Sequence, residues 1–183
     1  MLLAATWAAS NAMLRPGEIG VESVNHPQRM LTMRSLAVTS NAPLEYSLTL
    51  AESKTDAYSE GVALPVSGPS ATAAMRSYLS KRPGGAPGPN APLFARADGS
   101  PLTHKWLVDT TSALVSLARV PMVDRVTGRT CVGVSFRSGG ATALAEAGVS
   151  DRQIQILGRW KSFCYQRYIR ESTATLSTVF KLF

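Results

Sequence analysis

The pattern of apolar and polar positions divides the chain into a helical start, a strand-rich middle and a helical second half. Residues 1–14 are rich in Ala, Leu and Met and precede Arg15-Pro16-Gly17. Because proline disfavours helical geometry in the residue before it, we expect Arg15 at the end of a first, buried helix. Between about residues 19 and 66 the pattern changes to short strands. There "YSLTL" and "GVALPV" flank the polar stretch "AESKTDAYSE", which predicts a β-hairpin.

Helical spacing dominates the rest of the chain. "SATAAMRSYLSKR" predicts a helix with Ser70 as its N-cap, and "HKWLVDTTSALVSLARV" predicts another. "SFRSGGATALAEAG" predicts a small-residue helix closed by Gly148, and "SDRQIQILG" has Ser150 and Gln153 at capping-box spacing. The last predicted helices are "KSFCYQRYIR" and "TATLSTVFKLF". The expected fold class is therefore α+β, mostly α-helical with a small antiparallel β-sheet, in one domain over residues 1–183.

The amino-acid composition limits which classes of binding partner and cofactor are expected. The chain has 183 residues, of which 45% are hydrophobic and 17% charged, a globular composition that argues against wholesale disorder. Its net charge of +7 favours polyanions such as nucleic acid or acidic lipid headgroups. Cys131 and Cys164 lack C-x-x-C spacing, and His26 and His104 are the only histidines, so neither a disulfide framework nor a metal or cofactor site is expected. The apolar start lacks a basic n-region and is too short to span a bilayer, so no membrane anchoring is expected.

Four segments carry side chains that suit a single reaction. They are "LRPGEI" with Arg15, "ESKTD" with Lys54, "SFRSGGATALAEAG" with Arg137, and "LGRWKSFCYQRYI" with Tyr168. In this order they resemble the boxes of the tyrosine recombinase (phage-integrase-like) catalytic domain. Those boxes are an Arg in LR-x-x-E, a Lys on a β-hairpin, H-x-x-R opening a helix, and LGH or LGW followed by a nucleophilic Tyr. The resemblance runs from residue 1 to about residue 175, and the residues of its boxes, such as "SFRSGGAT" and "LGRWKS", are similar to those of recombinases carried by eukaryotic mobile elements.

The resemblance implies site-specific recombination or integration of double-stranded DNA, without cofactor, metal or ATP. Tyr168 would attack the scissile phosphate and form a 3′-phosphotyrosine. Arg15 and Arg137 would hold the non-bridging oxygens, because a guanidinium fork can bond two oxygens and stays charged. Lys54 would protonate the leaving 5′ oxygen.

Two further residues of these boxes have supporting places in this hypothesis. Counting from Gly158, Tyr168 falls at the nucleophile position, whereas Tyr165 comes three residues too early and is expected to pack beside the site. Glu18 is expected to orient an arginine rather than to act in the chemistry.

Each of these residues also has a plainer interpretation when it is considered alone. Arg15 could face helix carbonyls, Lys54 could be a solvated turn lysine, and either tyrosine could simply pack. The order and spacing of the four boxes together favour the functional interpretation.

Two positions depart from the family pattern. Val134 replaces the histidine of H-x-x-R, and valine can neither donate a hydrogen bond nor exchange a proton. General acid–base catalysis by such a histidine typically raises a reaction rate by about a hundredfold or more. Arg159 stands where His or Trp is expected by count, and Trp160 follows it. Arg159 would fill the role of the box His or Trp by binding a phosphate oxygen, or Trp160 would fill it by packing, after a shift of one residue. The valine supports an alternative function, a catalytically impaired DNA-binding or assembly remnant of a recombinase.

The ends of the chain raise further expectations. Recombinases of this family usually clasp DNA with an additional amino-terminal domain, which we expect to be absent here, with DNA affinity reduced and salt-dependent. In the tail, Leu176, Val179, Phe180 and Phe183 have near-helical spacing, suited either to docking on a neighbouring protomer during self-assembly on DNA or to folding back. The ordered boxes argue against a third reading, an unrelated basic module for RNA or membrane surfaces. The expected location is intracellular: the nucleus in a eukaryote, the cytoplasm in a prokaryote.

Overall fold

The computed structural model describes six stretches of the chain, residues 1–22, 30–41, 44–51, 61–82, 87–119 and 135–169. Lys54, Val134 and the predicted tail helix "TATLSTVFKLF" lie outside these residues. The described helices are α1 (Leu2–Asn11), α2 (Pro16–Ile19), α3 (Pro69–Ser80), α4 (His104–Leu117), α5 (Ser135–Glu146) and α6 (Asp151–Leu157). The described strands are β1 (Leu36–Asn41), β2 (Leu44–Leu50) and β3 (Val62–Val66), and two 3-10 helices cover Met33–Ser35 and Phe163–Arg167.

The three strands form one antiparallel sheet in the order β1-β2-β3. Along β2, Tyr46, Leu48 and Leu50 are buried, so alternate side chains of this central strand face the core. Leu48 pairs with Leu64 of β3, which confirms the predicted hairpin between β2 and β3. The predicted α+β class is also confirmed.

The first helix packs one face into the main core. Its four buried alanines, Ala4, Ala5, Ala8 and Ala9, share a cluster with the sheet, α3 and the start of α4. Small side chains let neighbouring backbones approach closely, and α1 packs against both α3 and α5. On α5, a Cβ added to Gly140 would lie 2.9 Å from Met13 Cγ and closer still to the Ser10 carbonyl oxygen, so α1 and α5 touch at this glycine.

A smaller core cluster lies beyond α1 and joins the two ends of the described chain. Its buried members are Met13, Ala141, Ile154, Trp160 and Tyr165. They come from the turn after α1, from α5 and α6, and from the segment after α6. This cluster supports the side chains of the candidate site.

Several local predictions are confirmed by the backbone. The Gly148 φ of +76° after α5 is the left-handed conformation expected of a closing glycine. At the start of α6, the Ser150 backbone N–H donates to Gln153 Oε1 at 3.2 Å, as the capping-box spacing predicts.

Three local predictions are wrong. Arg15 does not end α1, which stops at Asn11; it is the N-cap of α2, with Pro16 as the first helical residue. Ser70 is not the N-cap of α3, because Pro69 already opens the helix and Gly68 caps it. Over its described part "KSFCYQRYIR" is not an α-helix but the tighter 3-10 helix Phe163–Arg167.

Candidate active site

Arg15 and Glu18 form a pair at the start of α2. The Arg15 backbone N–H donates to Glu18 Oε2 at 2.7 Å, and Arg15 Nη1 donates to Glu18 Oε1 at 2.9 Å. Proline at the next position fixes this turn, since Arg15 has the extended geometry (ψ 150°) that a residue before proline favours. The Glu18 side chain is 10% exposed and that of Arg15 is 37% exposed, so the carboxylate lies beneath a guanidinium that still reaches solvent.

Arg159 reaches the same carboxylate from the other end of the chain. Its Nη2 donates to Glu18 Oε2 at 2.8 Å and to the Met13 carbonyl at 3.3 Å, and its Nη1 donates to the Ala12 carbonyl at 3.1 Å. The Arg159 side chain is only 7% exposed. Glu18 is therefore shared by two arginines that lie more than a hundred positions apart in the sequence.

Arg137 projects from the first turn of α5 into the same region and is buried. Its Nη2 donates to the Gly158 carbonyl, and its guanidinium carbon lies 4.7 Å from the centre of the Trp160 ring, a cation–π arrangement. Among the described residues, Arg137 Nε and Nη1 have no hydrogen-bond partner. Buried charged donors without partners are costly, and an anion would relieve that cost.

Burial and the neighbouring charges perturb these arginines. Burial first, and then the charges of Arg15 and Arg159, lower the pKa of Arg137 to about 10, against the opposing effects of Glu18 and Tyr168. Burial also lowers the pKa of Arg159, against the opposing effect of Glu18. Arg15 and Arg159 contact the Glu18 carboxylate, and Arg137 lies close enough to be affected by the charges of all three, which leaves an excess of positive charge where α2, α5 and the segment after α6 meet.

The two tyrosines occupy different environments. Tyr165 is buried in the smaller core cluster, with its ring centre 6.2 Å from that of Trp160. Burial first, and then the hydrogen bond and charge of Asp151, raise the pKa of Tyr165. Tyr168 is half-buried, and its ring centre lies 5.2 Å from that of Trp160, on whose ring Arg137 also packs. Tyr168 therefore lies near Arg137, whereas Tyr165 packs in the smaller core cluster.

Three residues to which the sequence analysis gave no role in the site help to position it. Ser138 Oγ and Thr142 Oγ1 donate to the Tyr168 carbonyl at 2.8 Å and 3.2 Å, which ties the tyrosine segment to α5. Their i, i+4 spacing on the predicted helix was the available signal. Gly158 leaves room for Trp160, because an added Cβ would fall within the indole ring.

Of the nine residues predicted for the site, seven are described. Ion pairs connect Arg15, Glu18 and Arg159, ring contacts connect Arg137, Trp160, Tyr165 and Tyr168, and the peptide bond between Arg159 and Trp160 joins the two groups. The predictions for Lys54 and Val134 fall outside the described residues. No group of three potential metal ligands occurs among the described residues. Within the same part of the chain, every helix is too short or too polar to cross a bilayer.

Among known proteins, only solved structures match this chain, and they identify its fold. No family model matches the sequence, and no curated protein does. Solved structures match with probability 1.00 over 98% of this chain. One is the XerH site-specific recombinase in a post-cleavage complex with palindromic difH substrate (TM-score 0.65, 14% identity, 44% of that chain). A second is the XerA recombinase (TM-score 0.65, 14% identity, 58% of that chain).

The fold is that of the tyrosine recombinase catalytic domain. The Tn1549 transposon integrase in complex with transposon right end DNA has this fold too, with a TM-score of 0.55 and 17% identity over 57% of that chain. This chain therefore spans about half the length of the recombinases it matches. The predicted resemblance in fold is confirmed, and the arginine cluster lies within that fold.

Proposed function

We propose that this chain binds double-stranded DNA and catalyses site-specific cleavage and rejoining through a 3′-phosphotyrosine intermediate. The observation that carries the proposal is the meeting of Arg15, Arg137 and Arg159 around Glu18, with Tyr168 beside Arg137. A backbone phosphate is a compact anion, and two of its oxygens remain free to accept hydrogen bonds during transesterification. The recombinases and integrase of similar fold were solved with DNA in two of the three structures compared, which supports DNA as the ligand.

Each residue has a chemical task in this proposal. Arg15 and Arg137 bind the non-bridging oxygens and stabilise the charge that builds on the phosphate in the transition state. Tyr168 loses its phenol proton to solvent and attacks phosphorus, its oxygen replaces the 5′ oxygen of the next nucleotide, and Lys54 supplies the proton to that leaving oxygen. In the rejoining step a 5′ hydroxyl attacks the phosphotyrosine and gives its proton to Lys54, and the released phenolate regains a proton from solvent. Water is not the nucleophile in either step, so the number of phosphodiester bonds is conserved.

The choice of Tyr168 over Tyr165 follows from access. Tyr165 is 2% exposed, and burial beside Asp151 makes its phenol harder to ionise. Tyr168 is half-buried and packs on the indole that also carries Arg137. Only Tyr168 can reach a phosphate held by Arg137 without dismantling the smaller core cluster.

A covalent trapping experiment tests the proposal. The chain is incubated with a duplex pool of randomised sequence carrying a nick beside each candidate cleavage position, so that the released strand diffuses away and the protein stays attached. We expect a denaturation-resistant protein–DNA adduct from the unsubstituted chain and from Tyr165→Phe, and none from Tyr168→Phe. An adduct that survives Tyr168→Phe and disappears with Tyr165→Phe would show that the nucleophile is assigned wrongly.

The second candidate function is a DNA-binding or assembly remnant that no longer cleaves DNA, which Val134 in place of the box histidine favours. The same experiment separates the two. DNA retention in a gel shift, together with no adduct from any variant, would support the remnant and refute the enzyme.

We further propose that the protein self-assembles on DNA through its apolar carboxyl-terminal segment and acts where cellular DNA lies, in the nucleus or the prokaryotic cytoplasm. The spacing of Leu176, Val179 and Phe180 supports the first part. Light scattering with and without duplex DNA should show a larger assembly on DNA. That increase should disappear with Val179→Asp.

A further inference from the structure

Arg159 stands at the sequence position where the resemblance places a phosphate-binding His or Trp, but its side chain is directed inward. All three of its hydrogen-bond acceptors belong to the turn after α1 and to α2: the carbonyls of Ala12 and Met13, and the Glu18 carboxylate. With 7% of its side chain exposed, Arg159 lies deeper than Arg15, which is 37% exposed. A phosphate approaching from solvent would therefore meet Arg15 first.

The backbone gives a second, independent indication. Arg159 has a φ of +57° and occupies the left-handed position at the end of α6, where its N–H donates to the Ile156 carbonyl. The next N–H, that of Trp160, donates to the Gln155 carbonyl, so the two bonds form a Schellman motif. Glycine is the usual residue at this position, because a Cβ strains the left-handed conformation. An arginine here is strained unless its side chain makes contacts that compensate for the strain, and its three acceptors supply such contacts.

The connection to the rest of the site runs through Glu18. Oε2 of Glu18 accepts from Arg159 and from the Arg15 backbone N–H, and Oε1 accepts from the Arg15 side chain. Arg159 adds a second bond to Oε2, which restrains the rotation of the carboxylate, and with it the direction in which the Arg15 guanidinium points.

We propose that Arg159 is a positioning residue that orients Arg15 through Glu18, rather than a ligand of the DNA phosphate. The inference rests on the proposed function, because it concerns how the same site presents Arg15 to a phosphate. Trp160, which packs against both Arg137 and Tyr168, then takes the place of the His or Trp in the LGH or LGW box. The one-residue shift that the sequence left open is thus explained by the inward turn of Arg159.

The salt dependence of DNA binding tests this inference without requiring catalysis. Each phosphate contact contributes about 0.9 to the slope of log affinity against log salt concentration. Dissociation constants are measured on an un-nicked duplex pool of randomised sequence, for the unsubstituted chain, Arg15→Gln, Arg159→Asn and the double variant. Asparagine is chosen because it tolerates the left-handed backbone. Arg159→Gly, the natural residue at such a position, is the second variant if the asparagine variant folds poorly.

The double variant decides the outcome. If Arg159 acts through Arg15, the double variant should show the slope of Arg15→Gln alone, lower by about 0.9 than that of the unsubstituted chain. If Arg159 is itself a phosphate ligand, the two losses add to about 1.8, and the inference is overturned. The rate of adduct formation should show the same pattern, with Arg159→Asn slowing the unsubstituted chain but not the Arg15→Gln variant.

A matched control is available two residues away. Lys161 is exposed and carries the same charge as Arg159, so Lys161→Asn reports the effect of removing one positive charge from this segment. Its effect should add to that of Arg15→Gln rather than disappear in its presence.

Failure of the proposed function is separable from failure of the inference. A chain that binds DNA but forms no adduct contradicts catalysis and still yields the slopes. If the unsubstituted chain binds no DNA, the proposed function fails, and a crystal structure of free Arg159→Asn decides the inference instead. Loss of the hydrogen bond from Arg15 Nη1 to Glu18 Oε1 in that variant supports the inference, and an unchanged bond refutes it.

Discussion

Two neighbouring glycines on α5 give a stringent test of how the site is held together. Gly139 is exposed, and a Cβ added there meets nothing within 4 Å. A Cβ added to Gly140 falls inside the 3.0 Å separation that real Cβ atoms essentially never show, against the Ser10 carbonyl oxygen and Met13 Cγ. The Ser10 contact is with backbone, so rotation of a side chain cannot relieve it, and α1 must move away from α5 by about 1 Å.

The two substitutions should therefore have opposite effects on stability. Gly139→Ala removes a flexible helical residue and should stabilise the fold by about 0.5–1 kcal/mol. Gly140→Ala has the same helical gain, but the clash is with backbone, so overpacking should cost about 2–3 kcal/mol, for a net loss of about 1–2.5 kcal/mol. For a chain of this size 1 kcal/mol corresponds to about 2–4 °C in Tm. We expect Tm to rise by about 1–4 °C for Gly139→Ala and to fall by about 2–10 °C for Gly140→Ala.

The reaction should be affected more strongly than the stability. The turn after α1 leads into α2 with Arg15, and α5 carries Arg137, so a wedge at Gly140 separates the two arginines that we propose bind the phosphate. A displacement of about 1 Å at a catalytic site can cost about a hundredfold in rate. Thermal unfolding and the trapping assay, run on both variants, measure the two effects. A Gly140→Ala variant as stable and as active as Gly139→Ala would refute the claim that the α1–α5 contact positions the site.

Three further predictions concern individual residues. Burial and two neighbouring arginines lower the pKa of Arg137 to about 10 in the folded chain, so below pH 10 its charge destabilises the fold, and this destabilisation lessens as the pH rises from 10 toward the pKa of arginine in the unfolded chain. Arg137→Met should therefore keep or raise Tm at neutral pH and abolish the adduct, and a clear fall in Tm would contradict this. Ser138 and Thr142 of the same chain hold the Tyr168 segment, so a mixture of Tyr168→Phe and Arg137→Met chains should form no adduct, whereas adduct from the mixture would mean delivery to a neighbouring protomer. Val134→His should accelerate adduct formation about a hundredfold, as expected for an added acid–base group, and an unchanged rate would argue against the box assignment.

The helices and the hairpin were predictable because their signals are local. The capping box of Ser150 and Gln153 and the closing Gly148 each depend on a few consecutive residues, and the structure reproduces them. Arg15 shows where a local signal is ambiguous. Pro16 correctly excludes helical geometry at Arg15, but the same proline favours the first position of a new helix, and that second preference prevails.

The geometry of the site was predictable only in part. The order of the boxes predicts which residues lie in one site, but the direction of the Arg159 side chain depends on the carbonyl groups of Ala12 and Met13. These partners are 147 and 146 positions away, beyond any periodicity or spacing rule. Likewise, Gly158 is identifiable as a helix end, but its contact with the Trp160 ring depends on how the indole is packed by Tyr165 and Tyr168.

The ion pair between Glu18 and Arg159 joins residues 141 positions apart. A ribosome must therefore synthesise nearly all of the described chain before this carboxylate meets its second arginine, and a nascent or locally opened molecule has Arg15 without its full support. If the proposed cleavage depends on this support, it becomes possible only after the first and last described segments have come together, so synthesis and folding of the chain would precede any activity.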